Sequence, residues 1–157
     1  MYAQFRSLGY GRLEKVWPTL NPTFWRKGSS AAFWTHEWNK YGICSNSTLN
    51  ALQYFQSAIA QKDNIDLLQA LRAAPYNINP SPNINYSRSD IEKAVSQRIG
   101  AQAYISCGLL RNSVPLLYEI YICLDYHMTN YINCPQYNYG RQCPADATHP
   151  NINFPPY

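Results

Sequence analysis

Four side chains within six residues, His36, Glu37, Lys40 and Tyr41, carry groups able to hold an anion or move a proton. On a helix, at 100° per residue, they fall within an arc of about 140°, while Trp34 and Trp38 point elsewhere. His36 and Lys40 are an i, i+4 pair, and so are Glu37 and Tyr41, so the partners of each pair meet on the helix surface. An imidazole and an ammonium on one face can hold an anion, and a neighbouring carboxyl can relay a proton. The same pattern also describes a plain solvated helix face whose Glu–Lys pair contributes about 0.2–0.5 kcal/mol. A zinc peptidase is excluded, because H-E-x-x-H needs a second imidazole where this chain has Lys40. His127, in D-Y-H-M-T-N, and His149, in a Pro-rich tail, read as solvated loop residues.

These side chains need a helix beneath them. The run from Ala32 to about Ile43 predicts one, with Gly42 able to end it. Leu49, Leu52, Phe55 and Ile59 recur at helical spacing and predict a second from Thr48 to Ala60, capped by Ser45 or Asn46. Ile65–Ala73 predicts a third. Ser89-Asp-Ile-Glu92 reads as a capping box opening a fourth, with Ile91, Val95 and Ile99 on one face and Gly100 closing it. The stretch from Pro75 to Asn85 reads as a loop. Ala103–Ser106, Leu116–Leu124 and Asn130–Asn133 are rich in β-branched and aromatic residues and predict strands. Residues before Ala32, with Trp17, Pro18, Pro22 and Trp25, show no period, and the tail from Pro135 to Tyr157 is turn-rich. Helices followed by strands predict one α+β domain over residues 1–157, an antiparallel sheet packed with several helices.

Composition narrows the class. Of the 157 residues, 46% are hydrophobic, enough for a packed core, and only 14% are charged, against about 25% in an average soluble domain. Fourteen Tyr and many Asn supply surface polarity instead, as in secreted proteins. No run approaches the ~18 apolar residues of a membrane span, and no heptad or fixed-period repeat occurs. The net charge of +4 suits a polyanionic ligand or simply solubility.

Five cysteines, Cys44, Cys107, Cys123, Cys134 and Cys143, include no C-x-x-C pair, which argues against a zinc ribbon or a thioredoxin-type site. Four lie in the last third and suit two disulfides in an oxidising compartment, leaving Cys44 as the odd one. Sequons at Asn46 (N-S-T) and Asn85 (N-Y-S) mark two candidate glycosylation sites. The start, Met-Tyr-Ala-Gln-Phe-Arg, has no apolar stretch of a signal peptide. A secreted-type body behind such a start leads us to expect an incomplete N-terminus.

The string F-W-T-H-E-W-N-K-Y-G-I-C, Phe33 to Cys44, closely resembles the second active-site segment of the secreted acid ribonucleases of the ribonuclease T2 family, F-W-x-H-E-W-x-K-H-G-T-C. The resemblance extends through W-P-T-L at Trp17, Y-S-R-S-D-I-E-K-A, the I-S-C, Y-I-C-L and I-N-C-P cysteine frame, and I-N-F-P-P-Y at the end. It spans nearly the whole chain and is nearest the plant S-like and self-incompatibility branch.

The resemblance implies metal-free, cofactor-free cleavage of single-stranded RNA by a secreted monomer, with no membrane partner. In that chemistry the 2′-OH attacks its own phosphorus to give a 2′,3′-cyclic phosphate. A base for the 2′-OH, an acid for the leaving 5′-oxygen and cations for the phosphate are required. His36, Glu37 and Lys40 correspond to supporting catalytic residues, while Tyr41 replaces a principal imidazole and a phenol titrates near pKa ~10. The other principal imidazole belongs to an H-G-L-W-P segment that does not occur here; Trp17-Pro18 follows Glu14-Lys15-Val16, without His. The resemblance therefore implies an impaired enzyme, or a non-catalytic RNA-binding, storage or recognition protein on the same scaffold. It assigns base binding to Phe33 and Trp34, pairs Cys107 with Cys143 and Cys123 with Cys134, and leaves Cys44 unpaired.

Overall fold

The computed structural model describes residues 10–19, 30–111, 114–135, 143, 148 and 150–156. Trp25, His149 and most of the tail after Pro135 lie outside them. The chain divides into two compact units, residues 1–65 with 126–129, and residues 66–125 with 130–157.

The first unit is helical, with α1 (Tyr10–Val16), α2 (Ser30–Lys40), a 3-10 turn (Gly42–Ser45) and α3 (Ala51–Asn64). α3 starts later than its apolar period suggests. Asn50, not Ser45 or Asn46, is the cap: its side chain accepts from the Gln53 N–H while Gln53 Oε1 accepts from the Asn50 N–H. This reciprocal box satisfies two of the amides that a helix start leaves without partners. Leu13, Ala31, Trp34, Trp38, Ala51, Phe55 and Ile59 form the buried core of this unit, with Val16, Trp17, Phe33 and Tyr54 packed against it. The turn 126–129 belongs here too, since Thr48 Oγ1 donates to the Tyr126 carbonyl at 2.7 Å and Gln61 Nε2 to that of Met128 at 3.1 Å.

The second unit is mixed, with α4 (Leu67–Arg72), β1 (Asn85–Ser87), α5 (Arg88–Ile99), β2 (Tyr104–Arg111), β3 (Val114–Tyr121), β4 (Cys123–Leu124), β5 (Tyr131–Ile132) and β6 (Pro150–Asn153). The sequence expectation of an α+β chain is met. The sheet, though, is not wholly antiparallel: its order is β1-β6-β3-β2, and β6 runs parallel to β3. β1 and β6 come from segments that read as loop and tail. β1 is Asn-Tyr-Ser and β6 Pro-Asn-Ile-Asn, both too short for propensity to decide, so their pairing is set by tertiary contacts. The predicted strand Leu116–Leu124 is two elements, β3 and β4, which lie in different sheets. The capping box expected at Ser89 also sits elsewhere: Ser87 caps α5, its hydroxyl accepting from the Asp90 N–H at 3.0 Å. Gly100 closes the helix at φ 72°, the left-handed position that glycine adopts without strain.

Ile91, Ala94 and Val95 of α5 pack on Ala103, Ile105, Ile152, Leu71 and Ile78. The Cys107–Cys143 disulfide is part of this core, and Cys123–Cys134 ties the β4–β5 hairpin. Their separations of 36 and 11 residues correspond to about 3.8 and 2.8 kcal/mol on the chain-entropy model. Cys44 is free and exposed.

Candidate active site

α2 is amphipathic in an unusual sense, because aromatics rather than aliphatics anchor it. Trp34 is fully buried and its indole N–H donates to the Trp17 carbonyl at 2.9 Å, which removes the cost of burying that polar group. Trp38 is nearly buried and meets the Tyr54 ring edge-on at 5.5 Å. Trp34 and Trp38 thus fix the rotation of α2 and leave His36 and Lys40 exposed, with Glu37 half-buried between them. Trp34 is not a base-binding surface, contrary to the expectation from sequence. A ring with no accessible face cannot stack on a base. Phe33, partly buried at the edge of the same core, keeps some exposed surface.

α2 ends at Lys40, and Gly42 opens the 3-10 turn rather than stopping the helix. The reason for glycine is packing: a Cβ here would stand 2.4 Å from Trp38 Cε3. The closeness of backbone to indole carries the chain from the helix past Tyr41, which is left about half exposed at 54%.

Lys40 Nζ lies 4.8 Å from the centre of the Tyr41 ring. The neighbouring Tyr41 hydroxyl raises the ammonium above its usual range, and the Tyr41 and Glu37 charges act in the same direction. Glu37 is also shifted upward, because burial penalises its carboxylate more than the His36 and Lys40 charges favour it. Tyr54 was not among the residues picked out from sequence. Burial pushes its phenol up, and the Glu37 and Cys44 charges add to the shift. Only its place beside Phe55, on the flank of the apolar stripe of α3, signals it in the sequence. The site therefore gathers an imidazole, an ammonium, a carboxyl shifted upward by burial and two phenols. Such a set can hold an anion at His36 and Lys40, with the Glu37 carboxyl beside it.

The Glu37 shift predicts a pH dependence of stability. Folded protein holds this proton more tightly than unfolded chain, so stability declines as pH rises from the ordinary carboxyl value through the raised one, and remains lower above it. Glu37→Gln is expected to unfold later than wild type at pH 7, the difference closing below about pH 4. Denaturant titrations at the two pH values measure this. A variant less stable than wild type at pH 7 would show that the two cations outweigh burial.

His127 is exposed in the turn between β4 and β5. Among the described residues no three His, Cys, Asp or Glu side chains group as a metal site, and no helix is long and apolar enough to cross a membrane.

The sequence model of the Ribonuclease T2 family matches residues 3–134. Two tomato (Solanum lycopersicum) proteins are similar along most of the chain. Extracellular ribonuclease LE is 34% identical over 146 residues, covering 92% of this chain and 58% of its own length. Intracellular ribonuclease LX is 33% identical over 141 residues, covering 90% and 56%. The chain thus spans somewhat over half the length of these relatives. The crystal structure of RNase NT in complex with 5′-AMP superposes with a TM-score of 0.75 at 30% identity, covering all of this chain and 71% of that one.

Proposed function

This chain belongs to the Ribonuclease T2 family, and from that premise we propose that it binds single-stranded RNA across the His36–Lys40 face and cleaves it at a much reduced rate or not at all. Tyr41 carries this reading: an exposed phenol, its ring 4.8 Å from the Lys40 ammonium, occupies the position that an imidazole holds in the family motif. In the reaction a base removes the 2′-OH proton, the new O–P bond forms in line with the departing 5′-oxygen, and an acid returns a proton to that oxygen. His36 and Lys40 hold the phosphate, and Glu37, its carboxyl shifted upward by burial, is the group beside them able to relay a proton. What the face lacks is a second imidazole at the Tyr41 position, the side chain suited to taking and giving protons near neutral pH. RNA binding is spared this loss, because it depends on cations and aromatic surface rather than on proton exchange. The two disulfides further support a secretory location.

RNA affinity measured across salt, beside an in-gel cleavage assay, tests the proposal. Binding is expected to weaken with a log–log slope of about −0.7 per phosphate contact, and Lys40→Ala to lower that slope by about one contact. Phosphate titrated into the wild type is expected to move the His36 resonance, and to move it less in Lys40→Ala. Turnover equal to an intact relative would overturn the loss of cleavage. Absence of RNA binding at low salt would overturn the binding role and favour a storage or recognition function.

A further inference from the structure

The outer face of the second unit's sheet carries a pocket of about 490 Å³, lined by Pro82, Asn83, Asn85, Val114, Leu116, Asn153, Pro155 and Pro156. That volume is in the range of small-molecule sites. Register explains how the pocket forms. Asn85 of β1 pairs with Asn153 of β6, and Asn153 with Leu116 of β3, so the three make one row across the sheet. Val114, two residues before Leu116, shares its face. Ile152 points the other way, into the core. The row is held firmly, since Asn153 Nδ2 donates to the Ser81 and Ile84 carbonyls at 3.1 Å and to Asn85 Oδ1 at 3.3 Å.

Among the described residues every group lining this pocket is uncharged. Carboxamides suit a ligand rich in hydroxyl and acetamido groups, and the proline rings with Val114 and Leu116 suit the apolar face of a sugar ring. The sequence supplies such a ligand, because Asn85 opens the sequon N-Y-S. Its side-chain oxygen is occupied by Asn153, whereas its Nδ2 donates to no partner among the described residues. Asn46, the other sequon, is exposed in the turn after the 3-10 segment and is not among the residues that line this pocket.

We propose that Asn85 is an N-glycosylation site whose first sugars lie in the adjoining pocket between the Pro82–Asn83 turn and Pro155–Pro156. In the transfer, Asn85 Nδ2 displaces the lipid pyrophosphate from the anomeric carbon of a lipid-linked oligosaccharide. An N–C bond replaces the C–O bond, and the amide loses one proton. The inference rests on the secretory location proposed above, so the test supplies that route itself. The 157-residue protein carrying Asn46→Gln is expressed behind a cleavable secretion leader in eukaryotic cells, which leaves Asn85 as its sole sequon. Peptide mapping is expected to find the glycan on Asn85. Peptide-N-glycosidase is expected to release it about tenfold more slowly from native than from denatured protein, because release awaits an opened state. Asn83→Ala, at an exposed position on the pocket wall, is expected to speed native release without moving the unfolding midpoint. An unmodified Asn85 overturns the site. A glycan released equally fast from native and denatured protein overturns its seating in the pocket.

Discussion

The Tyr41→His variant of this 157-residue protein is expected to cleave single-stranded RNA at least ~10²-fold more slowly than an intact family member assayed beside it. The substitution returns an imidazole to the face that carries His36, Glu37 and Lys40, at an exposed position where the fold has no reason to resist it. One imidazole serves half of the proton inventory. The reaction removes a proton from the 2′-OH on one side of the phosphorus and delivers one to the 5′-oxygen on the other. Each transfer requires a group within about 3 Å. The family motif draws its second imidazole from an H-G-L-W-P segment, a string absent from these 157 residues. Glu37 beside the new imidazole is at best a weak stand-in for that group, which makes trace turnover the expected gain rather than full rate.

The reverse exchange isolates the phenol. An active relative with Tyr placed at the matching position is expected to lose ~10²–10⁴ in kcat/KM while retaining RNA affinity within a few-fold. Initial-rate and binding measurements on the four proteins complete the comparison. If Tyr41→His matches the intact relative, the second catalytic group lies within this chain and has been misplaced.

The site was legible in the sequence because its spacing is local. Residues so close in sequence need little from the rest of the chain to lie together: His36, Glu37 and Lys40 are on α2, and Tyr41 follows directly after it, its N–H donating to the Glu37 carbonyl. Tyr54 was not legible, since it approaches Glu37 from α3 only after Trp38 has packed against its ring. Trp34 misled for a related reason: an aromatic beside a catalytic motif invites a stacking role, and nothing short of burial distinguishes platform from core. In the second unit, α5 and β2 were visible from their own patterns. β1 and β6 were not, because strands as short as Asn-Tyr-Ser and Pro-Asn-Ile-Asn owe their conformation to each other and to β3. The cap of α5 shifted from Ser89 to Ser87 on the same principle. Both serines suit an N-cap, and the β1 pairing that ends at Ser87 decides between them.

Trp34→Ala is expected to destabilise the protein by about 3–5 kcal/mol. Trp34 is fully buried in the core of the first unit, a cluster that also holds Leu13, Trp38, Phe55 and Ile59. Truncation removes this apolar surface and leaves a void that these rigid neighbours fill only in part. It also strips the Trp17 carbonyl of the indole donor at 2.9 Å. Against a typical domain stability of about 5–15 kcal/mol, such a loss takes a fifth of the total or more. Phe33→Ala, one residue earlier and only partly buried, is expected to cost less and to weaken RNA binding by up to about 1–3 kcal/mol through lost stacking. Denaturant unfolding and RNA affinity measured on both variants separate the two roles. A Trp34→Ala protein of unchanged stability and lower RNA affinity would reverse the assignment, making Trp34 the surface and Phe33 the core.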